Sequence, residues 1–152
     1  MSIADTLSTL GITLPTPAAP AGAYIPVVTY NKCVYISGQL PIEDGKLKYT
    51  GKVGNEQSIE NGQQSAKLCV INALAALNAE LGSLDSVTRI IKLEVYVNSA
   101  TGFTDQAQVA NGASNFLKEV FGDKGLHTRV ALGTAELPLN AATEIIITAA
   151  FE

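Results

Sequence analysis

The stretch from Ser58 to Gly82 constrains the fold most. Ala66, Val70, Ala73, Leu74, Leu77 and Leu81 recur at helical spacing and place one apolar stripe along a long helix. Ser58 is a suitable N-cap and Gly82 a suitable C-terminal stop. Much of the stripe is alanine, so whatever covers it must approach closely. A helix of this length with a small-residue face calls for a sheet beneath it, and the rest of the chain must supply the strands.

Three segments answer, with a second helix among them. Tyr24 to Ser37 reads as a hairpin, with Tyr24–Tyr30 and Cys33–Ser37 as strands and Asn31-Lys32 as the turn. Pro26 places the first strand at an edge or delays its start. Val87 to Asn98 alternates cleanly, with Ile91, Leu93, Val95 and Val97 on one face and Lys92, Glu94, Tyr96 and Asn98 on the other. A second helix runs from about Thr104 to Phe121, with Val109, Ala113, Phe116, Leu117 and Val120 buried. Arg129 to Phe151 then reads as two strands joined at Glu136–Asn140. If these form a symmetric hairpin, Arg129 lies opposite Glu144. That pair is either part of a pocket beside the small residues Ala131, Gly133 and Ala135, or a cross-strand ion pair of little energetic weight.

The N-terminus adds a short helix, with Ser2 to Asp5 as a capping box and Gly11 as its end. An extended Pro/Ala connection covers residues 12 to 23. The order is an outer helix followed by ββ-α-β-α-ββ. The expected class is α+β: residues 1–152 as one domain, a mixed sheet with two helices packed on one face. Two helices cover one sheet face only. The other is of the kind that oligomerisation buries.

Composition narrows the function. The 152 residues carry a net charge of −4, with lysines and arginines scattered singly, so no electrostatic footprint for nucleic acid is expected. No apolar run approaches a membrane span, and the N-terminus lacks the basic and apolar regions of a secretory signal, which points to the cytoplasm. One histidine and two distant cysteines, Cys33 and Cys69, argue against a structural metal site and for buried free thiols. His127 reads as a strand-entry residue near the surface, with no nearby Ser or Cys to make it a general base.

Single motifs are weak. Ser37-Gly38-Gln39-Leu40-Pro41 is a strand-ending turn or, with the Ser37 hydroxyl and the Gly38 amide, a small anion site. Gly22-Ala23-Tyr24 is a turn with a packed tyrosine or a phenol reaching a pocket, and Asn111 is either merely exposed or part of a site. In order, however, Gly22-x-Tyr24, Ser37-Gly38-Gln39-Leu40-Pro41, Asn111, and Arg129 followed by Leu137-Pro138 and Glu144 resemble the RidA/YjgF family of enamine/imine deaminases, over roughly Pro20 to the C-terminus.

The resemblance implies a chorismate-mutase-like fold and a homotrimer with ligand sites in the clefts between subunits. It implies hydrolysis of 2-imino acids, formed when pyridoxal-phosphate enzymes release enamines, to 2-oxo acids and ammonia. No metal or organic cofactor, nucleic acid or membrane is implied. Arg129 matches the family's carboxylate clamp and Glu144 the acid that orients the attacking water. Tyr24, Ser37, Gly38, Asn111 and Ala131 match substrate-binding positions. Ala131 stands where the family usually has a cysteine, which implies a wider pocket. A non-catalytic carboxylate sensor and an endoribonuclease, an older family label, are the rival readings.

Overall fold

The computed structural model describes residues 1–152. The elements in chain order are α1 (Ile3–Thr9), β1 (Val27–Tyr30), β2 (Cys33–Ile36), β3 (Ile42–Glu43), β4 (Lys46–Leu47), α2 (Ile59–Leu81), β5 (Val87–Asn98), α3 (Gln106–Phe121), β6 (Thr128–Thr134) and β7 (Thr143–Phe151). Five strands form one mixed sheet in the order β1-β2-β7-β5-β6, with α2 and α3 on one face. The small β3–β4 hairpin turns at Asp44 and Gly45, both at positive φ.

α2 behaves as its caps dictate. The Ser58 hydroxyl accepts from the Asn61 amide at 3.1 Å, and Gly82 takes the left-handed conformation at φ 78°. Its Ala66, Ala73 and Leu77 are fully buried in the core, together with Leu93, Val95 and Ile147 of the sheet. The crossing with α3 is tight because glycine sits at it. A Cβ added at Gly112 would lie 2.2 Å from the Gln63 carbonyl oxygen, which no side chain tolerates. α1 closes the capping box between Ser2 and Asp5 and packs Leu7 against α3 and the turn Leu84–Ser86.

The β1–β2 hairpin turns at Asn31 and Lys32, whose φ angles of 49° and 60° match the twist of a two-residue loop. β1 is an edge strand, but it begins at Val27, after Pro26.

The expected C-terminal hairpin does not exist. β6 pairs parallel with β5 and β7 pairs antiparallel with β5, so β5 lies between them. The connection must therefore cross the end of β5, and Asn98 holds it there. The Asn98 Nδ2 donates to the Ala141 carbonyl at 3.1 Å and to Asn140 Oδ1 at 3.2 Å, and its Oδ1 accepts from Lys52 Nζ at 2.9 Å. The lysine also donates to the Ala135 carbonyl on the other side of the crossing. Leu139 and Asn140, at φ 57° and 62°, bend the chain back. Asn98 is thus fully buried, not on an exposed polar face. A second departure lies in β5. Irregularities in its pairing with β7 fall between Val87 and Arg89 and between Ile90 and Lys92, so Ile90 is buried while Ile91 is exposed.

The sheet face away from α2 and α3 carries Val28, Tyr30, Tyr35 and Leu132, all exposed, around a Lys92–Glu94 ion pair at 3.2 Å. Cys33 and Cys69 are free thiols; Cys33 is half-buried, whereas burial pushes the Cys69 thiol up to about 12.

Candidate functional site

The expected site residues fall into two groups. The first stands at the edge strand β6 and helix α3. Arg129 pairs in register with Leu93 and so points to the helix side of the sheet, as does Ala131 opposite Val95. Its Nη1 donates to Asn111 Oδ1 at 2.8 Å and to Ser114 Oγ at 3.2 Å. Asn111 and Ser114 are one turn apart on α3, so both acceptors face the same way. No carboxylate pairs with the guanidinium, and its other edge remains free for a ligand.

The second group stands across the sheet. Glu144 pairs in register with Tyr96 and points to the open face. It is half-buried, burial raises its pKa above the ordinary value of 4.5, and no hydrogen bond or ion pair compensates. Gly38 lies against it: a Cβ there would sit 2.2 Å from Glu144 Oε1. The Gly38 amide has no partner in the chain. The Ser37 hydroxyl donates to the Ile25 carbonyl at 2.7 Å and its amide to the Pro26 carbonyl at 2.8 Å, so toward a ligand Ser37 offers lone pairs only. Gly22 leaves room for the half-exposed Tyr24 ring, whose Cε1 would lie 3.3 Å from a Cβ at position 22. Tyr24, Ser37 and Gly38 line a cleft of about 520 Å³ roofed by the segment from Pro15 to Ala21, with Asn72 and Leu139 at its walls. Neither Arg129 nor Glu144 lines it.

The two groups do not meet within one chain. Tyr96 aligns with both Glu144 and Leu132, whereas Arg129 aligns with Leu93, three residues away. Two strand spacings, about 10 Å, separate β7 from β6. The side chains also leave opposite faces of the sheet. The cross-strand Arg129–Glu144 pair expected from a symmetric hairpin is therefore absent, because β5 occupies the place between them.

His127 corrects a second expectation. Its Nε2 lies 3.0 Å from Ser114 Oγ, and its Nδ1 lies 2.6 Å from the Gly125 carbonyl. The serine was thirteen positions away in sequence and invisible as a neighbour until α3 folded back onto the sheet. No three His, Cys, Asp or Glu side chains converge to hold a metal ion. No helix is long and apolar enough to cross a membrane.

This architecture is that of a known family. Residues 4–151 match the model described as "YjgF/chorismate_mutase-like, putative endoribonuclease". The chain belongs to the YjgF/RidA family. The match opens within α1, so that helix lies inside the family stretch. The Rid chain is 43% identical over 144 residues to protein TCP17 of Trypanosoma cruzi, covering 94% of this chain and 90% of the relative. Among solved structures it is similar to Atu1372 of Agrobacterium tumefaciens, of unknown function, at 40% identity and TM-score 0.91, over 99% of this chain and 92% of that one. It is similar also to a protein of Shewanella oneidensis described as a putative endoribonuclease, at 30% identity and TM-score 0.97, over 99% and 100% of the two chains. The chorismate-mutase-like α+β fold expected from the sequence is thus the fold of this Rid protein.

Proposed function

We propose that this Rid protein hydrolyses 2-imino acids to 2-oxo acids and ammonia at a site shared between two copies of the chain. The observation that carries the reading is the separation of two complementary halves. A guanidinium with one edge pinned and the other free stands on one side of the sheet. A half-buried carboxylate without any partner stands on the other. Each half is incomplete alone, and a copy of the same chain supplies what is missing. The exposed apolar residues Val28, Tyr30, Tyr35 and Leu132 offer the face along which copies associate, as a closed homotrimer.

The chemistry follows from the groups. Arg129 grips the substrate carboxylate through its free edge, a planar fork on a planar anion. The protonated imine carbon is already electrophilic, so the protein has only to fix it and place a water. Glu144 of the neighbouring copy takes a proton from that water as its oxygen bonds to the imine carbon. Burial raises its basicity toward the working pH. The carbinolamine then collapses: Glu144 returns the proton to the nitrogen, the C–N bond breaks and ammonia leaves, while the hydroxyl gives its proton to the Glu144 carboxylate as the C=O forms, and ammonia finally carries that proton away as ammonium. The unpaired Gly38 amide is a donor for the developing oxygen. Such chemistry belongs in the cytoplasm, where pyridoxal-phosphate enzymes release enamines.

The deciding experiment generates 2-imino acids with an amino acid oxidase and measures whether the purified protein accelerates their loss. Acceleration, with a trimer in light scattering, supports the reading. A 2-oxo acid that binds without any acceleration of imine loss would instead make the protein a carboxylate sensor. Ala131, small where the family usually has a thiol, is the residue that favours that second reading. Steeply salt-dependent RNA binding would favour the endoribonuclease description carried by the family, against the net charge of −4.

A further inference from the structure

We propose that Ser114 and His127 are positioning residues for Arg129, forming a relay that holds the guanidinium in its ligand-binding orientation. The inference rests on the reading of Arg129 as the carboxylate clamp. It adds two residues that neither the sequence motifs nor the family resemblance singled out.

The relay follows from donors and acceptors. The Gly125 carbonyl can only accept, so His127 Nδ1, 2.6 Å away, must carry a proton. Gly125 itself is fixed in place: a Cβ there would sit 2.2 Å from the Leu117 carbonyl oxygen. With the proton on Nδ1, the neutral ring presents a lone pair at Nε2. Ser114 Oγ, 3.0 Å from it, donates its single proton there. The serine lone pairs are then turned to the other side, where Arg129 Nη1 donates at 3.2 Å. Each bond in the series fixes the direction of the next. Burial of the ring, with the Arg129 charge nearby, holds His127 below its ordinary pKa and favours the neutral form the relay requires. Asn111 alone, at 2.8 Å, would hold one hydrogen of Nη1 and leave the guanidinium free to swing about that contact. Ser114 supplies the second anchor. His127 and Arg129 are two residues apart and Asn111 and Ser114 three, so strand and helix periods bring both pairs to one place.

The test compares Ser114→Ala, His127→Phe and His127→Gln with the parent. Removing the serine hydroxyl, or the ring acceptor that orients it, should raise the Kd of pyruvate about ten-fold, the scale of a hydrogen bond to a charged group. KM for imino acids should rise in parallel while kcat changes far less. His127→Gln, whose amide oxygen can stand near Nε2, should recover much of what His127→Phe loses. A second readout needs no ligand: guanidinium NMR should show hindered rotation of Arg129 in the parent and free rotation in Ser114→Ala. If both Ser114→Ala and His127→Phe bind pyruvate like the parent and leave the rotation unchanged, the relay does not position Arg129. If the parent binds no 2-oxo acid, the proposed function fails, and the rotation experiment still decides the relay.

Discussion

Gly38→Ala separates the catalytic reading of Glu144 from a structural one. The new Cβ would meet Glu144 Oε1 at 2.2 Å, its Cδ at 3.1 Å and its Cγ at 3.4 Å. Carbon and oxygen tolerate about 3.3 Å, so the carboxylate must retreat by about 1 Å. The fold should barely register this. Gly38 lies outside the left-handed region, and alanine at a compatible glycine position stabilises by roughly 0.4–1 kcal/mol. Forcing Glu144 off its rotamer costs a similar ~0.5–1.5 kcal/mol. The net change in stability should therefore stay within about 1 kcal/mol. Turnover should not escape so easily. A displacement of about 1 Å in a positioning group can reduce a rate by ~100-fold, equivalent to about 2.7 kcal/mol of barrier. The oxidase-coupled imine assay and urea denaturation, run on the same preparation, read the two effects. An unchanged unfolding midpoint with a hundred-fold slower reaction is the expected result. A variant that turns over imines like the parent would show that Glu144 does not need its place, and the assignment of the water to it would fall.

Glu144→Gln should keep ligand binding and lose roughly 10²–10⁴-fold in turnover, as expected for a missing general base, with isothermal titration and the same assay as readouts. Its stability has a definite sign. Because burial raises the folded-state pKa of Glu144 above 4.5, the neutral acid favours the fold, and that contribution is full below 4.5 and lost as pH rises through the folded value. The glutamine variant should therefore melt higher than the parent at pH 7, an advantage that vanishes below pH 4.5. Arg129→Ala should weaken 2-oxo acid binding by tens to thousands of fold, the equivalent of roughly 2–5 kcal/mol, while the fold persists in circular dichroism, and Arg129→Lys should recover only part. Asn98→Ala removes both donors and the acceptor that hold the crossing over β5, and should cost roughly 2–4 kcal/mol in urea denaturation. A loss under 1 kcal/mol would mean that the turn at Leu139 and Asn140 holds the crossing without it.

Periodicity gave the helices because α2 and α3 carry their own evidence: apolar residues three and four apart and a terminal glycine in both, and a capping serine in α2. It gave the strands of β5 and β7 as well, since alternation is local. It could not give their neighbours. Nothing in Arg129 to Phe151 states that β5 will come between β6 and β7; that is decided by α3, which returns the chain parallel to β5. Asn98 was legible only as a polar residue in an alternating strand, and its burial depends on Lys52, Asn140 and Ala141 arriving from three other places. Ile90 and Ile91 exchanged faces because an irregularity in pairing shifts the alternation, and either residue would satisfy the pattern. The residues proposed for the site were legible only as an ordered set resembling the family's motifs. That Arg129 and Glu144 leave opposite faces of the sheet was not legible, because it follows from strand order, and the Ser114–His127 contact was not, because it joins a helix to a strand entry.

The glycine at the helix crossing bears on how this protein can change. Gly112 presses α3 onto the Gln63 backbone, and Gln63 Nε2 reaches across to the Gln108 carbonyl at 2.8 Å. Asn111 and Ser114 flank that contact on the same helix. A helix locked on its inner side cannot slide, so the support that Asn111 and Ser114 give Arg129 is rigid. Variation around Arg129 must then come from elsewhere, such as the residue at 131 on the same face of β6. The same lock makes α3 a poor place to begin engineering and the rim of the cleft a better one.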